Sequence, residues 1–234
     1  VSDGASPEAS LAFKADGAGA TLPDGGCWFT AAGAGDFTDP TAGELDALVA
    51  RLGLEGRVVA RSTQVHGSEV RFVAGPADAR EGEEFDGQVT SSREVVCAVR
   101  TADCLPVALF SSSAAGVIHA GWRGLASGVL ESGLEAMRSA GDGPVRAVIG
   151  PGARSCCYEA GDEVHAALAE MGPGARAGQN ADLPWVAAQR LLAAGVEEVA
   201  DCEVCSICAT GPEWHSYRRD GQEAGRSLAL AWRS

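Results

Sequence analysis

The sequence predicts a single mixed α/β domain, and three observations lead there. Short apolar runs rich in β-branched residues, such as RVVA (57–60), EVVCAV (94–99), PVALF (106–110) and AGVIHA (115–120), read as strands. Longer stretches with apolar residues every three or four positions read as helices. The two kinds are interleaved without strict alternation and without a repeat, which argues against a doubly wound dinucleotide fold. With 234 residues and 46% hydrophobic content, the chain can bury a full core.

Residues 1–26, rich in Gly, Ala, Asp and Ser, are expected to be partly frayed or to form a short hairpin. GELDALVARLG (43–53) has helical spacing and a closing glycine. Strands follow at 57–60, 69–73, 94–99, 106–110 and 115–120, then a helix from about Leu125 to Ser139 and a strand at VRAVIG (145–150). Further helices are expected over about Gly161–Met171 and from Pro184, in its first turn, to Ala194. VEEVA (196–200) reads as a strand, and a final helix is expected from about Ala224. The glycine-rich AAGAGDF stretch (31–37) follows no run that reads from the sequence as a buried strand and precedes no lysine, so it is not read as a phosphate loop.

Charge narrows the partners. A net charge of −14, with Lys14 the only lysine and no basic block, repels phosphate backbones and excludes a nucleic-acid-binding role. No apolar stretch approaches a membrane span; the longest, near 104–110, is broken by Pro106. The first residues lack the basic start and apolar block of a secretory signal, so a cytoplasmic location is expected. There the eight cysteines (27, 97, 104, 156, 157, 202, 205 and 208) suit metal binding, catalysis or core packing better than disulfides. CEVCSIC (202–208) has iron–sulfur-like spacing, but Pro212 stands where a fourth cysteine is wanted. These cysteines are therefore read as small strand or turn residues.

The chemistry concentrates around two of the four histidines. His66 lies in STQVHGSEV, Cys104 in RTADCLPVALF at the entry to an apolar strand, and His119 at the end of the next strand. Neighbouring strand ends share a rim, where these three residues could form the His2Cys set of a catalytic zinc with an open fourth position for water. Equally, they could be a buried structural cysteine and two unrelated turn histidines, since their separations match no short zinc motif.

QVHG, DGQVT, TADCLPV, HAGWRG, IGP…CCYEAG and SYRRDG…GR occur in an order that resembles the YfiH-type family. Its members are variously described as laccase-domain proteins, polyphenol oxidases, purine nucleoside phosphorylases or peptidoglycan-editing factors. The resemblance runs from about residue 57 to the end. It implies a layered α/β sandwich of cysteine-hydrolase-like type and a zinc held by His66, Cys104 and His119. It also implies phosphorolysis of adenosine, inosine, guanosine and methylthioadenosine, with adenosine deamination as a second activity. The sequence departs from the family early on: FTAAGAG has Ala31 where an arginine is common, and Gly152 replaces a frequent cysteine.

A multicopper oxidase needs about ten histidines, many as His-x-His pairs, whereas this chain has four and no such pair. Copper is therefore a poorer expectation than zinc. Arg123, one helical turn past His119, is expected to aim its planar fork at phosphate, the alternative being a surface ion pair. Asp103 and Asp86 could orient a ligand or assist proton transfer, or cap a turn, the reading preferred for Asp86. Tyr217, Arg218 and Arg219 are expected to close one side of the pocket, with Tyr217, Arg219 and Asp103 binding substrate. A metal-free cysteine hydrolase acting on a cell-wall precursor, with Cys104 as nucleophile and His119 as base, is the alternative activity, and a non-enzymatic zinc-stabilised scaffold the third.

Overall fold

The small-residue N-terminal stretch is a meander of strands. In the computed structural model, which describes residues 9–234, β1 (Ser10–Lys14), β2 (Gly17–Leu22) and β3 (Gly25–Thr30) pair antiparallel in succession. The expected hairpin is therefore present; residues 1–8 of the stretch expected to fray lie outside the described residues. Helix α1 (Ala42–Arg51) starts at a capping box, in which Thr41 and Glu44 satisfy each other's backbone N–H groups.

Strands β4 (Val58–Ala60), β5 (Arg71–Val73), β6 (Gly87–Thr90), β7 (Val95–Thr101), β8 (Leu105–Phe110) and β9 (Ala115–Ala120) follow. Next come α2 (Trp122–Ser127), α3 (Val129–Ser139), β10 (Arg146–Ile149) and α4 (Asp162–Leu168). A two-residue pair, β11 (Arg176–Ala177) and β12 (Asn180–Ala181), precedes α5 (Leu183–Ala193), which Asp182 caps at Trp185 N–H. The chain ends with β13 (Glu198–Asp201), the short α6 (Tyr217–Asp220) and β14 (Ser227–Arg233).

These strands form two six-stranded sheets, ordered β1-β2-β3-β14-β7-β4 and β13-β10-β8-β9-β6-β5. Phe29, Cys97, Val99 and Ala231 of the first pack against Phe110, Val117 and Val148 of the second. The outer face of the second sheet, with Leu109, Ile118 and Ile149, is covered by Leu130, Leu134 and Met137 of α3 and Val186 and Leu191 of α5. Helix α1 covers the outer face of the first through Leu45, Leu48 and Val49. The result is a four-layer α/β/β/α sandwich, the mixed, layered α/β class expected from the sequence.

Two expected helices are different in the structure. The 125–139 helix is two, α2 and α3, because Gly128 between them takes a left-handed φ of 91°. The helix expected from Ala224 is instead the strand β14, hydrogen-bonded to both β3 and β7. Its Leu228 and Leu230 face α1 while Ala229 and Ala231 face the other sheet. With both faces covered, no polar alternation remains to mark it as a strand.

Candidate metal centre and active site

Strand register gathers the site. In the β8–β9 pair Pro106 lies opposite His119 and Leu105 opposite Ala120, so Cys104 before β8 comes beside Gly121 after β9. On the other side of β9, Gly87 of β6 lies opposite Ile118, and His119 N–H donates to the carbonyl of Asp86 at 2.6 Å. Asp86, Cys104 and His119 therefore meet at one end of the second sheet. Alternation along β9 sets His119 in phase with Val117, on the face between the sheets, and its side chain is buried.

Asp86 draws in the third member. Its fully buried carboxylate accepts the backbone N–H groups of Val65 (3.2 Å), His66 (3.0 Å) and Gly67 (2.7 Å). The same Oδ1 that binds His66 N–H lies 2.7 Å from His119 Nδ1. The preferred reading of Asp86 as a turn cap was thus half of its role: it caps the 65–67 turn and orients His119 at once. Held this way, His66 takes a left-handed φ of 60°, an unusual conformation for a residue with a Cβ. With Nδ1 of His119 committed to Asp86, Nε2 is left for a ligand.

The donor atoms of His66, Cys104 and His119 all lie within 4.8 Å of one another, close enough to share a metal ion. The two imidazole rings meet edge to face at 4.8 Å. Gly121 makes room for them: a Cβ there would stand 2.9 Å from Cys104 Sγ and 3.4 Å from the His66 ring. Burial pushes the Cys104 thiol up, but the charge of His119 and hydrogen bonds from both imidazoles outweigh it and bring it to about 6. Burial pushes His119 down, while the Cys104 thiolate and the Asp86 carboxylate raise it to about 9. Without a metal the pair is thus a thiolate beside an imidazolium.

The trio opens into a cavity of about 690 Å³ between strand ends, α2 and α6. Asp103, Arg123 and Tyr217, all expected at the site, line it. Asp103 is buried at a left-handed φ of 86°, and its carboxylate accepts Ser206 Oγ–H and Arg218 N–H, each at 2.7 Å. It is built into the cavity floor. Arg123 stands exposed at the rim, stacked on the Trp122 ring at 4.3 Å, with Glu163 no closer than 4.0 Å.

Arg219 does not line the cavity. Its guanidinium is turned away, bonded to the carbonyls of Ser206 and Trp214 and paired with Asp220 and Glu213. Its neighbour Arg218 lines the cavity instead, stacked on Tyr158 at 4.7 Å and donating to the Glu159 carbonyl. Gln64, Arg100, Trp122, Tyr158 and Arg226 are lining residues that the sequence did not single out. Each sits inside or next to a quoted motif, Arg226 being the arginine of the closing GR in SYRRDG…GR.

Residues 30–234 match a family described as multi-copper polyphenol oxidoreductase laccase. The chain belongs to this family. Among curated proteins it is similar to a purine nucleoside phosphorylase of Deinococcus radiodurans, 35% identical over 83% of this chain and 78% of that protein. One from Streptomyces coelicolor is 34% identical over 77% of each chain, and one from Aquifex aeolicus 35% identical over 58% of this chain and 66% of that one. Among solved structures, YlmD from Geobacillus stearothermophilus superposes with a TM-score of 0.82 at 24% identity, covering 97% of this chain and 99% of that one. The Neisseria meningitidis protein NMB0706 gives 0.76 at 27% identity, with the same coverage. The laccase family's fold is thus the fold of this chain. Among the described residues, no helix is long and apolar enough to cross a membrane.

Proposed function

We propose that the chain is a zinc-dependent purine nucleoside phosphorylase acting on adenosine, inosine, guanosine or methylthioadenosine, with adenosine deamination as a second activity of the same cavity. The observation that carries this reading is the cavity lining. Four arginines (Arg100, Arg123, Arg218 and Arg226) and three aromatic rings (Trp122, Tyr158 and Tyr217) surround the His66–Cys104–His119 trio. Asp103 is the one acidic side chain among the described lining residues, and its oxygens are already engaged. Guanidinium forks suit phosphate and aromatic faces suit a purine. In a chain of net charge −14, such a concentration of arginine is not a property of the surface at large. The names of the curated relatives support the same reading.

Zinc suits the donor set: two imidazoles, one of them oriented by a carboxylate, and a thiol already ionised by its neighbours. An electron-transfer copper held by His2Cys takes a long axial methionine. Met137 and Met171 belong with the helix-side core and not with the cavity lining. His66, Cys104 and His119 would hold the zinc, which when bound supplies a Lewis acid that lowers the pKa of water, as deamination requires.

In phosphorolysis a phosphate oxygen bonds to C1′ of the ribose as the bond from C1′ to the purine nitrogen breaks. The electron pair leaves with the purine, which takes up a proton. The chain's task is binding and orientation. Arg123, with its ion partner 4.0 Å away, is free to turn towards phosphate, and Arg218 is a second guanidinium lining the same cavity. Phosphate fixed beside the ribose stabilises the positive charge that develops there. Purified protein supplied with inosine or adenosine and phosphate should release free base and ribose 1-phosphate, resolved by chromatography. Cleavage at the same rate without phosphate would make the protein a hydrolase and end this reading.

One observation favours a second reading. Cys104, His119 and Asp86 are arranged as thiolate, imidazolium and orienting carboxylate, the parts of a cysteine hydrolase, here acting on an amide of a cell-wall precursor. Activity that survives chelation and is abolished by alkylating Cys104 would favour it. Activity lost on chelation and restored by zinc favours the phosphorylase.

A further inference from the structure

A second group of sulfurs lies outside the cavity. Cys156 and Cys157 occupy the turn after β10, and Cys205 and Cys208 the loop after β13. The parallel β10–β13 pairing continues past both strands. Cys202 N–H donates to the Ile149 carbonyl at 2.9 Å, Gly152 bridges to Cys205, and Ser206 N–H returns to Gly152 at 3.0 Å. The two loops therefore run side by side. CEVCSIC, read from the sequence as small strand and turn residues for want of a fourth cysteine downstream, has Cys156 and Cys157, about fifty residues upstream, beside its Cys205 and Cys208.

The four Sγ atoms all lie within 4.8 Å of one another, and Cys156 Sγ and Cys208 Sγ are 3.6 Å apart. Zinc–sulfur bonds of about 2.3 Å in a tetrahedron give sulfur–sulfur edges of roughly 3.8 Å. The spacing therefore suits one ion among four sulfurs, whereas a disulfide would use two of them at about 2.05 Å. A second observation concerns Cys205. Backbone N–H groups of Arg154, Ile207 and Cys208 point at its sulfur. Donors aimed at a sulfur favour the thiolate, the form that binds metal. Cys205 is buried while Cys156 and Cys208 are exposed, so the cluster has an anchored base and an open path for an ion.

We propose that Cys156, Cys157, Cys205 and Cys208 form a structural zinc site, separate from the cavity trio. Four soft sulfurs in a tetrahedral arrangement select zinc among common divalent ions and leave no open position for chemistry. On binding, four S–H bonds are replaced by four Zn–S bonds, four protons pass to solvent, and no electrons are transferred. The ion would tie together two loops that hold the cavity floor. Ser206, next to Cys205, donates to Asp103, and Tyr158, next to Cys157, lines the cavity.

The test is elemental analysis of the purified full chain after dialysis, beside a Cys156→Ser/Cys208→Ser variant; both residues are exposed, so the fold should tolerate serine. The variant should carry one zinc fewer per chain than the parent. In a cobalt(II)-loaded parent, the thiolate-to-cobalt absorption should be strong; it should weaken sharply in this variant and persist in His66→Ala. That cobalt spectrum, read on the parent, also serves if the variant fails to fold. Equal zinc in parent and variant would overturn the proposal. So would a cobalt-loaded parent that lacks four-thiolate absorption, or a thiol count showing Cys156 and Cys208 already joined as a disulfide without metal. None of these outcomes depends on nucleoside turnover, so this site and the phosphorylase reading stand or fall separately.

Discussion

Replacing Asp86 with asparagine keeps the shape of the side chain and breaks its chemistry. Oδ1 serves His66 N–H and His119 Nδ1, and Oδ2 serves Val65 N–H and Gly67 N–H. An amide has one oxygen, so in either orientation its NH2 group faces two donors. If the NH2 group replaces Oδ2, the 65–67 turn that carries His66 is released. If it replaces Oδ1, His119 must move its proton to Nε2, where the lone pair needed by a metal is lost. Either way two charge-assisted hydrogen bonds of about 1.5 kcal/mol or more each disappear from a fully buried position, a loss of about 3 kcal/mol in stability. Metal affinity should fall by roughly ten- to a hundredfold, the usual cost of losing a carboxylate that orients a metal-binding histidine. Urea unfolding of the metal-free protein measures the first quantity, and competition with a chromophoric chelator the second. Parent-like values in both experiments would show that Asp86 orients neither histidine.

Gly121→Ala sets a methyl group 2.9 Å from Cys104 Sγ, so the variant should fold yet bind less metal at the trio; unchanged metal content would mean that the strand end yields without disturbing the ligands. Arg123→Ala should raise the phosphate KM by roughly ten- to a hundredfold through loss of a charge-assisted bond of about 1.5–3 kcal/mol. Arg219→Ala should instead lower Tm and leave that KM unchanged; the opposite pattern would return Arg219 to the cavity. In the metal-free chain, alkylation of Cys104 should accelerate as pH rises through about 6 and then level off, whereas a midpoint near the ordinary thiol value of 9.0 would refute the thiolate–imidazolium pair. The depressed Cys104 pKa gives stability that is present above its unfolded value and lost as pH falls through about 6. The raised His119 pKa gives stability that is present below its unfolded value and lost as pH rises through about 9. Folded values near 6 and 9 against unfolded ones of 6.5 and 9.0 leave almost the same number of protons bound, so urea midpoints should show little slope from this pair between pH 6.5 and 8.5.

Much of this architecture was legible in the sequence where a pattern has a local cause. Helices α1 and α5 and the apolar strands β8 and β9 follow from side-chain periodicity, with Gly53 closing the first helix and Pro184 in the first turn of the other. Strand β14 was hidden because α1 covers one face and the second sheet the other, which erases the alternation that distinguishes a strand from a helix. His66, Cys104 and His119 could be named from chemistry and resemblance, but the register that joins them depends on pairings between strands distant in the chain. Asp86 could be read as cap or orienter, and one buried carboxylate turned out to do both. Arg218 and Arg219 are adjacent, and the choice between them turns on the rotation of α6, set by the Ser216 cap and by Asp103 holding Arg218 N–H. The cysteine cluster was missed because its halves meet only through the parallel β10–β13 pairing, for which the sequence has no local marker.

That one metal centre serves the cavity is tested most directly by measuring zinc per chain and nucleoside turnover together in His119→Ala. His119 is the proposed ligand that β9, β8 and Asp86 jointly fix, so its loss should remove one zinc per chain and abolish phosphorolysis and deamination together, while His165→Ala, whose imidazole meets the Gln179 carbonyl outside the cavity, should keep both zinc and turnover. A His119→Ala protein that folds, retains its full zinc content and still converts inosine and phosphate to hypoxanthine and ribose 1-phosphate would contradict the account.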